Sequence, residues 1–203
     1  MNLETTGNTN ASPTQPLASP ARFLPIEEAF DISPSSEAIE PAVFRQNVSQ
    51  PQNIKLPIHT GGTNVFDVAA YILEKCGEMS ALKLQKLVYY CQAWSLVWDE
   101  APLFPERIEA WAYGPVVKEL YEYHRGFYRL SRLPLGASFK LTSKQKQTID
   151  AVINYYSVKT PQQLIELTHL EDPWKNARQG LPVGAPSNRE ITHEAMAEYY
   201  SSL

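Results

Sequence analysis

Residues 80–98, SALKLQKLVYYCQAWSLVW, limit the fold of this chain more than any other stretch. Ser80 suits an N-cap, because its short side chain can accept a hydrogen bond from the unpaired amides of a first helical turn. Leu84, Leu87, Val88, Cys91, Trp94 and Trp98 then recur at the three- and four-residue spacing of one helical face. So large an apolar face must be covered by other elements, and this is expected to be the central helix of a domain. Tyr89 and Tyr90 fall off that face. They are either surface aromatics, which commonly anchor interfaces, or members of a core wider than one helical face.

The chain divides near residue 62. Of 16 prolines in 203 residues, eight precede that point: Pro13, Pro16, Pro20, Pro25, Pro34, Pro41, Pro51 and Pro57. Each fixes φ and lacks an N–H, so this spacing defeats both helix and sheet. Every tryptophan and tyrosine lies later. Residues 1–62 are therefore expected to be a mostly disordered tail. Within it, Phe23, Leu24, Ile26, Phe30, Ile32, Ile39, Val43 and Phe44 alternate with Glu27, Glu28, Asp31, Glu37 and Glu40. That pattern suits either a segment that folds on a partner or a solubilising tail.

Residues 63–203 read as a mainly α domain of six or seven helices with a minor pair of short strands. Asn64 with Asp67 opens a first helix and Gly77 ends it. Ile108, Ala110 and their neighbours Glu109 and Trp111 suit a short strand. Gly114-Pro115 then reads as a turn starting a helix with proline at its first position, to be stopped at Gly126. A second strand is expected around 138–141. Thr142 with Gln145 and Thr160 with Gln163 are capping boxes for two more helices. Asp172-Pro173 reads as cap and first residue of a short helix. Thr192 caps the last, with Ile191 and Met196 as a hydrophobic staple.

Chemistry is sparse. His59, His124, His169 and His193 show no metal-ligand spacing, and two cysteines, Cys76 and Cys91, are too few for a disulfide framework or a metal site. No phosphate-binding glycine loop or nucleophile elbow occurs. Catalytic residues, cofactors and metals are accordingly not expected, and the chain reads as a non-enzyme. It has no apolar run long enough to span a bilayer and no secretory leader, so a cytoplasmic protein with reduced thiols is expected. The net charge of −4 argues against coating nucleic acid through bulk charge.

One stretch differs. Residues 118–146 carry Lys118, Arg125, Arg129, Arg132, Lys140, Lys144 and Lys146 against Glu119 and Glu122, a net charge of +5. Tyr121, Tyr123, Phe127 and Tyr128 are interleaved with them. The stretch is either a solvated loop between helix ends or a binding surface. As a surface it suits a protein partner, given the acidity elsewhere. Tyr89, Tyr90, Trp111, Tyr113, Tyr123, Arg125, Arg129 and Arg132 are the candidate partner-binding residues.

In order along the chain, AAYILEK (69–75), LKLQKLVYYCQAW (82–94), Pro102-Leu103-Phe104, IEAWAYGPVVKELY (108–121), LTHLEDPW (167–174) and the last helix resemble the Panacea domain. This is the SocA-like antitoxin family, which includes phage-associated GepA-type proteins. The resemblance marks Gln85, Lys86, Gly114, Pro115 and Trp174 as motif residues. It implies an antitoxin of a type II toxin–antitoxin system that binds a cognate toxin. The alternative it implies is an adaptor delivering the toxin to a cytosolic protease. A nucleotide- or RNA-directed enzyme, signalled by a pocket around His124, His169 or Glu171, is the competing class. The stoichiometry and oligomeric state are not readable from these residues.

Overall fold

The computed structural model describes residues 62–203. The expectations for the tail, including its acidic–apolar segment and His59, lie outside the described residues. Among these, seven α-helices, two short strand pairs and one 3-10 turn are present.

Helix α1 (Val65–Cys76) starts at Asn64, whose side chain accepts from the Phe66 and Asp67 amides while Asp67 reaches back to the Asn64 amide. This reciprocal arrangement is the expected capping box. Gly77, at φ 75°, closes the helix. Strand β1 (Met79–Ser80) leads into α2 (Ala81–Trp98), with Ser80 Oγ accepting from the Lys83 amide as expected. All residues from Leu84 to Ser95 are buried, whichever way they point around the axis. Helices α1, α4 (Ser143–Tyr156), α5 (Pro161–Leu170) and α7 (His193–Ser201) and strand β3 (Gly114–Val117) all pack on it. The central position of α2 holds, but it is covered on every side rather than along one face.

The strands correct the sequence reading in two places. Residues 114–117 are strand β3, not the start of a helix. They pair antiparallel with β2 (Ile108–Trp111), in register Ala110 with Pro115 and Trp111 with Gly114, across a two-residue turn at Ala112-Tyr113. A proline is tolerated there because β3 has a free edge within this two-stranded sheet. Helix α3 (Lys118–His124) begins only after the strand; its C-cap is Arg125 and Gly126 follows at φ 91°, so it stops where the glycine was expected to stop it. The second correction concerns residues 138–141. Ser138–Lys140 form the 3-10 turn, and the second sheet instead pairs β4 (Arg129–Leu130) with β1.

The capping boxes at Thr142 and Thr160 form as expected, and Thr192 caps α7 with Ile191 and Met196 both buried beside it. Helix α6 (Asp172–Ala177) is capped at Glu171, not Asp172. Glu171 ends α5 and begins α6 with the same extended backbone, and its side chain turns inward and caps nothing. Outside β2, the amide of Ala110 donates to Arg189 and that of Ile191 to Ile108, both at 2.8 Å, tying the last loop to the hairpin.

Candidate functional site

Beneath the hairpin lies a buried polar layer built from α2. Gln85 behaves like a neighbouring strand: its amide nitrogen donates to the Val117 carbonyl at 3.2 Å, and its oxygen accepts from the Val117 amide at 2.9 Å. Its amide also meets His124 Nε2 at 3.0 Å. Burial pushes His124 down to about 4, so the ring is neutral and free to accept. Lys86 is fully buried and donates to the Pro115 carbonyl at 2.9 Å. Burial pushes its ammonium down to about 7, partly offset by attraction to Glu171. Gly114, at φ 95°, lies against Lys86 and Thr168. A Cβ there would stand 2.7 Å from Lys86 Cε, Lys86 Nζ and Thr168 Oγ1. The Gln-Lys pair and the Gly-Pro turn are thus two halves of one joint.

Two more joints use the same device. Gln92 accepts from the Leu103 and Phe104 amides and donates to the Phe104 carbonyl, holding the Pro-Leu-Phe loop against α2. Glu171 accepts from the hydroxyls of Tyr200 at 2.7 Å, Tyr90 at 2.9 Å and Tyr89 at 3.4 Å. Burial raises its carboxyl to about 7, against the lowering effect of those hydroxyls and Lys86. Trp174 donates to the Trp111 carbonyl at 2.9 Å and stacks on His169 with centroids 4.0 Å apart. Burial, with Lys86 and Arg178, holds His169 down to about 4. Gln85→Ala should leave the buried Val117 amide without its acceptor and strip the second donor from the Val117 carbonyl. The expected loss is about 3 kcal/mol in urea unfolding, with α3 and the hairpin loosening first in hydrogen exchange.

On the surface, residues 125–140 form an arm of mostly irregular backbone pinned from below. Leu130 and Leu133 are buried, as is Leu141 just beyond it. The Tyr128 carbonyl accepts from the Ala81 amide at 2.9 Å, and the Ala137 amide donates to Asp67 Oδ1 at 2.8 Å. Between these anchors Arg125, Phe127, Tyr128, Arg129, Arg132, Leu135 and Phe139 point outward. Phe139 is 83% exposed and Tyr128 64%. Arg129 pairs with Glu78, and Lys140 lies 3.8 Å from Asp67. Among the described residues Arg125 and Arg132 have no ion pair.

Comparison with protein families matches the model described as "Antitoxin SocA-like, Panacea domain" to residues 84–175. Over that stretch, somewhat less than half of its 203 residues, the chain is similar to the SocA-like Panacea family. Comparisons with curated proteins and with solved structures returned no match. The match begins inside α2 and ends inside α6. It therefore contains the joints at Gln85, Lys86, Gln92, Gly114 and Glu171, and the whole arm.

Burial separates the candidate residues into three groups. Tyr89 and Tyr90 are fully buried, and their place on a partner surface is corrected. They ring the Glu171 carboxylate because α2 has no uncovered side. Trp111 is half-buried, donates to Glu109 at 2.7 Å and meets Tyr121 edge-on, while Tyr113 stands 59% exposed at the hairpin tip. Tyr123 is half-buried with its ring edge-on to Phe66, whereas Arg125, Arg129 and Arg132 are exposed on the arm. Leu135 and Phe139 escaped notice in the sequence, since neither sits beside an arginine. The buried leucines spaced between exposed aromatics were the available signal.

Two clefts border α1. One, of about 430 Å³, lies between the ends of α1 and α4 and is lined by Lys75, Cys76, Lys83 and Asp150 among others. The other, of about 260 Å³, lies between α1 and the arm. Neither is lined by His124, His169 or Glu171. Among the described residues no cluster could hold a metal ion, and no helix is long and apolar enough to cross a membrane.

Proposed function

We propose that this protein is the antitoxin of a type II toxin–antitoxin pair, neutralising its toxin by direct binding without catalysis, with the arm at the centre of the contact. The observation that supports this is the arm's architecture. Exposed Phe127, Tyr128, Leu135 and Phe139 stand among Arg125, Arg129 and Arg132 on a backbone fixed by buried leucines. Aromatics and arginines are the residue types that dominate binding energy, and a fixed backbone lowers the entropy lost on binding. The polar layer under the hairpin is internally bonded and serves to hold the domain together. A blocking contact needs about 800 Å² from each partner, so the arm would supply its centre and the hairpin tip at Tyr113 a candidate edge.

The test is neutralisation of growth arrest by the product of the neighbouring open reading frame. Phe127→Ala, Tyr128→Ala, Phe139→Ala and Arg125→Ala should each weaken binding by about tenfold. Because these side chains are exposed, stability should stay within about 0.5 kcal/mol of the parent. Tyr123 is a poorer probe, since removing its ring strips a contact from Phe66. Full neutralisation by all four variants would overturn the surface assignment.

A further inference from the structure

The smaller cleft has a more specific character than the rest of the surface. Its apolar lining comes from the buried Ala70, Leu73 and Leu133 and the exposed Pro134. Its rim carries Glu74 on the α1 side and Arg132 on the arm side. The hollow exists because two small residues meet there. A Cβ on Gly136 would lie 2.6 Å from Ala70 Cβ and 2.0 Å from the Phe66 carbonyl oxygen. The arm turns on itself where the Gly136 amide donates to the Leu133 carbonyl at 3.0 Å, and it is held to α1 by the Ala137 amide donating to Asp67. The notch is therefore preformed.

The guanidinium of Arg132 on this rim is unpaired. Arg129 and Lys140 each lie beside a carboxylate, whereas Arg132 makes no ion pair among the described residues, Glu74 across the notch included. The larger cleft differs in this respect. There Lys75 pairs with Asp150, Glu78 with Arg129, and Lys83 donates to the Ser157 carbonyl at 2.5 Å. Building on the antitoxin reading, we infer that the notch receives one apolar side chain of the toxin, with an adjacent Asp or Glu of the toxin paired to Arg132. A guanidinium presents a fork of donors that fits a carboxylate with two parallel bonds. Glu74 on the opposite rim repels a carboxylate and so fixes which way the acidic neighbour points.

The experiment measures binding of the purified product of the neighbouring open reading frame to the full chain by calorimetry. Arg132→Glu reverses the rim charge, and Ser131→Trp places a bulky ring over the notch from an exposed position. Each should weaken binding by about tenfold or more with unchanged circular dichroism. Reversing the matching acidic residue of the partner to arginine should restore binding to Arg132→Glu. If the unaltered chain binds the partner and both variants bind equally well, the notch is not the contact. If the unaltered chain does not bind at all, the antitoxin reading itself falls. Capture of a short single-stranded oligoribonucleotide, lost in Arg132→Glu while partner binding persists, would assign the notch to nucleic acid and overturn the proposal.

Discussion

Gly136→Ala is expected to destabilise the domain by about 3 kcal/mol and to lower its melting temperature by roughly 10 °C. The added Cβ has no room: backbone oxygen of Phe66 would stand 2.0 Å away and the Ala70 methyl 2.6 Å away. A flexible side chain could swing aside, but Phe66 belongs to the first turn of α1 and cannot retreat without disturbing its cap. Overpacking against backbone therefore moves the arm. Ala137 would lose Asp67, and the notch beside Leu133 would open or collapse. Thermal melts give the magnitude, and limited trypsin digestion gives the location, because Arg125, Arg129 and Arg132 should become cleavable first. A variant melting within a degree of the parent, with an equally resistant arm, would show that the arm is not locked to α1.

The second large effect is a pH dependence. Glu171 titrates near 7 in the fold against 4.5 as a free side chain. A raised folded value means the native state holds the proton more tightly than the unfolded chain. The stabilisation is fully present below about pH 4.5 and is lost as pH rises through 7. Relative to Glu171→Gln, which keeps an acceptor for the tyrosine hydroxyls but cannot titrate, the parent should lose on the order of 3 kcal/mol across that window. His124 and His169 act in the opposite sense. Held down to about 4, they cost stability as pH falls below the ordinary histidine value of 6.5. The difference between parent and variant cancels their contribution, so the comparison must be made as a difference. Lys86, on α2 and attracted by Glu171, sinks further when that charge is removed, which adds to the trend. Urea unfolding at four pH values between 4.5 and 7.5 measures it. A flat difference would mean that Glu171 is already ionised in the fold at pH 4.5.

The parts of the fold that the chain announces are those whose stabilising contacts are local. Asn64 with Asp67, Thr142 with Gln145 and Thr160 with Gln163 each close within four residues, so their helices start where the residues say. Gly114-Pro115 misled because its partner is distant. It reads as a helix start until Gln85, more than twenty residues earlier, is seen to supply strand-like bonds to Val117. Tyr89 and Tyr90 misled for a related reason. A helical wheel assigns one covered face, and only tertiary structure shows α1, α4, α5 and α7 enclosing α2. Glu171 looked like part of a helix end, and its buried role depends on Tyr200, 29 residues away at the other end of the hydroxyl bond. The arm was legible as a basic, aromatic stretch, but its attachment was not, because Asp67 appeared to be occupied entirely by its cap.

The carboxylate of Glu171 joins hydroxyls from α2 and from the last helix, and that link reaches outside the stretch by which the family is recognised. Residues 84–175 lack α1, which supports the arm, and Tyr200, which fills one side of the tyrosine ring. An excised piece with those limits would begin in the middle of a helical turn and leave apolar surface bare at both ends. The unit of descent read from family comparison is thus smaller than the unit that can stand alone, and any transplant of this domain must carry both flanks.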